Sequence, residues 1–299
     1  MTCEKPAQEL GSPQDVADLL GSQRYLADEG LATAVFLALD LAIPLLLEGE
    51  PGVGKTEVAK ALAAATGRQL IRLQCYEGID SAAALYEWDY ARQLLHLRAV
   101  ADAVRQAEDE LFSPRYLLER PLLSALRAGD RAVLLIDEVD RSDDAFEAFL
   151  LELLSDFQIT IPELGTVAAP SPPVVLLTSN RTRELHDALR RRCLYHWIEY
   201  PAPAREVEIV AARAPSLPRP LLREVSAVVG RLRTLGLYKS PGISETITWA
   251  RALAALGLAR LEPGAATTTL GSVLKDPQDI EAVSAMLTSL VADAAGHDR

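Results

Sequence analysis

Residues Gly49-Glu50-Pro51-Gly52-Val53-Gly54-Lys55-Thr56 fit the pattern G-x-x-x-x-G-K-[ST] at every position. The apolar run Leu45-Leu46-Leu47 enters the loop after Pro44, and helix formers follow it from Lys55 to Ala65, ending at Gly67. A strand, a glycine loop and a helix in that order constrain the fold strongly, because such a strand is stable only when buried in a sheet. The same order constrains the chemistry. Glycines let the backbone fold into a ring of N–H groups around phosphates, and the helix start adds its positive dipole end. The ammonium of Lys55 then reaches the β- and γ-phosphates, and the Thr56 hydroxyl coordinates Mg²⁺. Glu57 continues the first helical turn. ATP and Mg²⁺ are the expected ligands.

A phosphate loop of this kind needs an acid at a neighbouring strand end to hold the metal. Val133-Leu134-Leu135-Ile136 is an apolar run that ends in Asp137-Glu138. Asp137 is expected to face Mg²⁺, and Glu138 to polarise the attacking water as a general base. Asp140, Asp143 and Asp144 are read differently, as N-terminal charges on the helix Ser142–Asp156 with Ser142 as its cap. In that helix Phe146, Phe149, Leu150, Leu153 and Leu154 recur at helical spacing.

Three more strands are expected at Leu70–Leu73, Val174–Leu177 and Tyr195–Glu199. Strands alternating with helices predict an α/β fold with a parallel five-stranded sheet and helices on both faces. From Pro201 onward helices dominate. Glu206–Ala212, Leu221–Leu235, Ser244–Leu258 and Pro277–Ala294 are the candidates, with Ala265–Thr269 read as a loop. The expected domains are therefore an α/β nucleotide domain over residues 1–200 and an α-helical lid over 201–299, with ATP at their seam.

The formal net charge of −12 makes a polyphosphate backbone a poor partner. Cys3, Cys75 and Cys193 fit no metal knuckle or disulfide framework and read as reduced thiols in a cytoplasmic protein. The N-terminus has no signal-peptide pattern. The most apolar stretch, Leu31–Leu47, is interrupted by Asp40 and Pro44. Membrane attachment would require a partner.

With these motifs in place, the chain resembles the AAA+ P-loop NTPases. The strand Val174–Leu177 runs through Thr178-Ser179 to Asn180, similar to that family's polar residue facing the γ-phosphate or the lytic water. Leu185–Cys193 resembles the segment that presents an arginine finger to the neighbouring subunit. Arg192 fits the finger position best and Arg191 second. The segments Asp137–Arg141, Phe149–Leu154 and Phe157–Ile161 are similar to the MoxR family. Cys75–Gly78, Tyr86–Tyr90, Leu176–Tyr195 and Leu237–Trp249 are similar to its CoxD-like branch. The resemblance implies a homo-oligomeric ring, a hexamer, that hydrolyses ATP to remodel a client. It also implies a von Willebrand A-domain partner and, as client, a metalloenzyme such as a molybdenum-containing carbon monoxide dehydrogenase. A clamp-loader-like motor acting on nucleic acid is the alternative that Arg192-Cys193 leaves open.

The chain departs from the family at Ser240-Pro241-Gly242, where an arginine is expected in place of Gly242. Either Arg231 or Arg251 substitutes for it, or the lid is coupled to the nucleotide in another way. The stretch Tyr86–Arg98, with Trp88 between Tyr86 and Tyr90, reads either as a substrate-gripping loop or as packing of a surface helix, and packing is favoured. The proline-rich hairpin Phe157–Pro173 is the better candidate for client contact.

Overall fold

The computed structural model of the chain describes residues 10–99, 112–162 and 164–296. Cys3 lies outside them. The chain divides into two compact units. The first comprises Met1–Gln23, Ala27–Glu48 and Thr56–Trp197; the second comprises Arg24–Leu26, Gly49–Lys55 and Ile198–Arg299.

The chain begins with α1 (Pro13–Ser22) and α2 (Glu29–Leu41), N-capped by the side chains of Ser12 and Asp28. Next come β1 (Leu45–Gly49), α3 (Lys55–Thr66) and β2 (Gln69–Gln74). A small layer follows: α4 (Ser81–Leu85), β3 (Tyr86–Trp88), α5 (Tyr90–Ala99), β4 (Leu117–Glu119) and α6 (Pro121–Ala128). Then β5 (Ala132–Asp137), α7 (Asp144–Asp156), the antiparallel pair β6 (Gln158–Ile161) and β7 (Gly165–Ala168), and β8 (Val174–Ser179). The short α8 (Asp187–Arg190) leads to β9 (Leu194–Ile198).

Strands β2, β5, β8, β1 and β9 lie side by side in that order as a five-stranded parallel sheet. Every residue of β1 and of β5 is buried, so both faces of the sheet are covered. Alternation along the strands divides the core. Leu46, Leu134, Ile136, Val175 and Leu177 pack with Leu122, Leu123 and Leu126 of α6 and Phe146, Leu150 and Leu153 of α7. Their neighbours Leu45, Leu47, Val133, Leu135 and Leu176 are also buried but point to the opposite face. The parallel register sets Leu47 beside Thr178 and Gln74 beside Asp137. The carboxyl ends of β1, β2, β5 and β8 therefore share one edge of the sheet, the edge at which open α/β sheets bind ligands.

The second unit contains α9 (Pro203–Arg213), α10 (Arg219–Leu232), α11 (Ile243–Ala255), α12 (Pro263–Thr269), α13 (Pro277–Ser284) and α14 (Leu287–Gly296). Leu221, Val225, Val228 and Leu232 of α10 recur at helical spacing and pack with Trp249, Leu253, Leu270 and Val291 in a separate core. These C-terminal helices are consistent with a lid domain.

Several expectations change. The cap of α7 is Asp143, which accepts the Phe146 N–H at 2.8 Å, while the Ser142 hydroxyl donates to Val139 O at 2.7 Å. Asp140 does not cap a helix either. It is buried, and its carboxylate accepts from the N–H and hydroxyl of Thr182 at 2.8 and 2.7 Å. Residues Ala265–Thr269 are helical, within α12, because Pro263 starts the turn and the Thr269 hydroxyl both donates to Ala265 O and accepts from Trp249 Nε1. The expected helix Pro277–Ala294 is two helices, broken at Ala285-Met286. Trp88 does pack, buried edge-on to Tyr86 with ring centres 5.9 Å apart, but the two lie in strand β3 and not on a surface helix. Among the described residues, no helix is long and apolar enough to cross a membrane.

Leu134 and Phe146 are nearly inaccessible and meet in the core between β5 and α7. Truncating either to alanine should lower unfolding free energy by about 2–5 kcal/mol in urea titrations. A loss below about 1 kcal/mol for both would show that this core does not carry the unit.

Candidate functional site

The acidic cluster lies at the shared edge of the first unit. Asp137 closes β5 and is buried. One of its oxygens, Oδ1, accepts from the Thr56 hydroxyl at 3.0 Å and from the Thr178 hydroxyl at 2.5 Å. The other, Oδ2, accepts from Arg72 Nε at 3.0 Å and from Arg72 Nη2 at 2.5 Å. The carboxylate therefore touches the first turn of α3, the end of β8 and the middle of β2. Glu138 follows in the left-handed region at φ 54°, ψ 50°. That conformation is costly for a side-chain-bearing residue and persists where the surroundings fix it. Here the Glu138 N–H donates to Thr178 Oγ1 at 2.9 Å, and its carboxylate accepts from Gln74 Nε2 at 3.0 Å. Arg141 approaches the same carboxylate at 3.5 Å.

Asn180 is the first residue beyond β8 and is half-buried. The residues on either side of it are tied down. Ser179 donates its hydroxyl to the buried Glu48 at 3.1 Å and accepts the Arg181 N–H at 3.0 Å. Arg181 is itself left-handed, at φ 55°. Its guanidinium lies 3.8 Å from Glu48 Oε2 and 5.7 Å from the centre of the Trp197 ring.

The expected finger residues stand away from this cluster. Arg192 donates to Ser155 Oγ of α7 at 2.5 Å, and Arg191 lies 3.8 Å from Asp187 on the surface. The segment carrying them is fixed from α7 by Glu147, which is fully buried, accepts the His186 N–H at 2.7 Å and pairs with Arg183.

The loop residues Gly49–Lys55 belong to the second unit. The Lys55 ammonium is buried and donates to Gly49 O at 2.7 Å and Glu50 O at 2.9 Å, so it is held within the curve of the loop. Val53 is buried, and Pro51 O accepts from the Tyr200 hydroxyl at 3.0 Å. Gly52 is left-handed at φ +78°, and a Cβ there would stand 2.8 Å from Gly242 Cα, so glycine is required twice over. A cleft of about 610 Å³ opens beside this contact, lined by Glu50, Gly52, Tyr200, Lys239, Gly242 and Lys275 among others. Glu57 points away and pairs with Lys60 at 2.6 Å.

A hydroxyl and a carboxylate oxygen 3.0 Å apart are hard donors of the kind Mg²⁺ takes. Among the described residues no cluster of three or more His, Cys, Asp or Glu could hold a metal. Among the described residues, the thiols of Cys75 and Cys193 offer no alternative chemistry. Burial and the carboxylates of Asp137, Asp140, Glu138 and Glu147 push Cys75 up to about 12, and burial alone pushes Cys193 up to about 12. Both stay protonated at neutral pH and are poor nucleophiles or ligands.

The sequence reading missed Arg72, Gln74 and Thr178. Thr178 stood in the strand leading to Asn180, but its link to Asp137 is legible only once β5 and β8 are known to be neighbours. Arg72 and Gln74 alternate with apolar residues in β2. A strand with polar residues on one face usually turns them to solvent, and nothing in that pattern marks these two for the carboxylates.

The chain matches the family model of the AAA domain (dynein-related subfamily) over residues 44–193, half its length. It is 28% identical over 244 residues to Protein NorQ of Paracoccus denitrificans (strain Pd 1222), covering 78% of this chain and 82% of that protein. Among solved structures it is similar to a putative ATPase from Cytophaga hutchinsonii, at 17% identity and TM-score 0.49, covering 91% of this chain and 84% of that one. It is also similar to the Thermotoga maritima RuvB Holliday junction branch migration motor, at 17% identity and TM-score 0.46, covering 88% of this chain and 70% of that one. The five-stranded parallel sheet, the phosphate loop after β1 and the family match agree: the chain belongs to the AAA family, in its dynein-related subfamily, with an AAA+ P-loop fold.

Proposed function

We propose that this protein is a MoxR-type AAA+ ATPase of the CoxD-like branch, in which hydrolysis of MgATP drives remodelling of a metalloenzyme client. The observation that carries the ATPase reading is the joining of Thr56, from the phosphate loop, to Asp137, from the acidic strand end, at 3.0 Å. Thr56 and Asp137 would hold Mg²⁺, which neutralises phosphate charge when bound. Lys55 turns from the loop carbonyls to the β- and γ-phosphates. Gly49, Pro51, Gly52, Val53 and Gly54 wrap the phosphates with their backbone, and Glu57 supports the first helical turn. Glu138 orients and deprotonates the water that attacks the γ-phosphorus as the bond to ADP breaks. Asn180 holds that water or the γ-phosphate. Arg192 completes the site of the neighbouring subunit, which requires at least a dimer and in this reading a hexameric ring.

The division of labour follows residues 1–200 as nucleotide domain and 201–299 as helical lid. The resemblance to the CoxD-like branch supports a molybdenum hydroxylase as client, a von Willebrand A-domain protein as partner and the cytoplasm as location.

Three variants test this reading and the geometry beneath it. Glu138→Gln should retain ATP binding while turnover falls by about 10²–10⁴. Expressed in its native cell and tagged, that trapped variant should co-purify with a von Willebrand A-domain protein or a molybdenum hydroxylase subunit. Recovery of replication proteins or nucleic acid instead would sink the maturation reading and leave the ATPase intact. Arg192→Ala should lose about 10³-fold or more in turnover with ATP affinity retained. Mixing it with Glu138→Gln should restore part of the rate, because some mixed sites hold an intact acid and an intact finger. No recovery on mixing would argue against a finger acting in trans. Finally, Thr178→Val should cost about 1–3 kcal/mol in thermal unfolding, since it strips a donor from the buried Asp137 and leaves the Glu138 N–H without its acceptor.

A further inference from the structure

Gly242 occupies the position where an arginine was expected, and its surroundings leave no room for one. A Cβ at Gly242 would stand 2.6 Å from Gly52 Cα and 2.9 Å from Gly52 O. The two glycines bring the backbone of the phosphate loop against the start of α11. The first amide of that helix, Ile243 N–H, donates to Gly52 O at 2.9 Å. One residue earlier in the loop, Pro51 O accepts from the Tyr200 hydroxyl. Two consecutive carbonyls of the loop are thus held by the helical segment that follows β9.

Neither arginine named from the sequence reaches this contact. Arg231 pairs with Asp293 at 2.8 Å, and Arg251 donates to Arg213 O at 3.3 Å. The arginine that matters is Arg233. Its fork donates to both oxygens of Glu206, at 2.6 and 2.8 Å, and Glu206 is fully buried. Its Nε donates to Pro241 O at 2.8 Å, and its guanidinium lies over the Tyr200 ring at 4.3 Å. The Thr246 hydroxyl joins the same network, donating to Glu206 at 2.6 Å. The Arg233 side chain is only 7% exposed and its donors are engaged on two sides, so it is not available to a phosphate. What it fixes is the ring of Tyr200 and the carbonyl before Gly242, the two pieces that meet the loop.

We propose that Tyr200 and Gly242, held in place by Arg233, clamp α11 to Pro51-Gly52, so that nucleotide occupancy is passed to the helices by backbone contact rather than by an arginine on the γ-phosphate. The proposal rests on the ATPase reading above. It predicts that any shift of the loop on closing around phosphates changes the Ile243 amide bond at once.

The test is amide hydrogen exchange on the full chain carrying Glu138→Gln, with and without MgATP. In this parent, MgATP should slow exchange in Gly52–Thr56 and alter exchange at Ile243 by a factor of about five to ten, the weight of one backbone hydrogen bond. Adding Tyr200→Phe, which keeps the ring under Arg233 and removes only the hydroxyl, should leave the loop response and abolish the response at Ile243. Gly242→Ala should do the same more severely. In the chain with Glu138 intact, both changes should lower kcat while KM for ATP stays within about threefold, a split that a general loss of folding would not give. Arg231→Ala and Arg251→Ala should leave the response at Ile243 unchanged. The proposal is overturned if Tyr200→Phe and Gly242→Ala preserve the Ile243 response, or if Arg231→Ala or Arg251→Ala removes it. Loop protection in the parent without any change at Ile243 also sinks the clamp alone. Absence of loop protection in the parent sinks the nucleotide reading itself, and the coupling with it.

Discussion

The buried carboxylate of Asp137 joins three elements that are remote in sequence: the start of α3 through Thr56, the end of β8 through Thr178 and the middle of β2 through Arg72. An ionised acid in that position is tolerable only because its four hydrogen bonds, two of them charge-assisted from one guanidinium, replace the water it has lost. The neighbouring elements gain register in return. With β5 and β8 paired so that Ile136 lies beside Leu177, the Thr178 hydroxyl falls on Asp137 and at the same time receives the Glu138 N–H. One hydroxyl thereby fixes both the Asp137 carboxylate and the backbone of Glu138.

Backbone strain collects at the same edge. Glu138 and Arg181 both adopt left-handed conformations, each immediately beyond or near the end of a central strand. Each is compensated locally, Glu138 by Thr178 and Gln74, Arg181 by Ser179 and the Trp197 face. The partners of Asp137 and Glu138 come from β2, β8, the first turn of α3 and the turn that follows β5.

The second unit solves a different problem. A phosphate loop must bend, yet its carbonyls have to be satisfied where they are buried. Lys55 takes Gly49 O and Glu50 O, Tyr200 takes Pro51 O, and Ile243 takes Gly52 O. Four successive loop carbonyls are thus capped, two by Lys55 and two by the C-terminal segment. The buried Glu206–Arg233 pair is the anchor for the latter two. Burying such a pair is costly unless every donor and acceptor is used, and here the fork, Nε and the Thr246 hydroxyl all find partners.

The chain by itself determined the strand–loop–helix around Lys55, the acids at the end of β5 and the switch from strands to helices near residue 200. Each is a local pattern: contiguous apolar runs, glycine spacing or helical periodicity, carried by residues only a few positions apart. Only the tertiary structure decided what holds these parts in place. Arg72 meets Asp137 across 65 positions of sequence, Thr178 across 41, and Arg233 meets Glu206 across 27. It also decided that Asp140 is buried under Thr182 rather than capping a helix, and that Gly242 is a point of contact rather than a missing arginine. Parallel pairing brings together strand ends whose sequences carry no mark of their neighbours, and a glycine selected for close approach looks, in one dimension, the same as one selected for a turn.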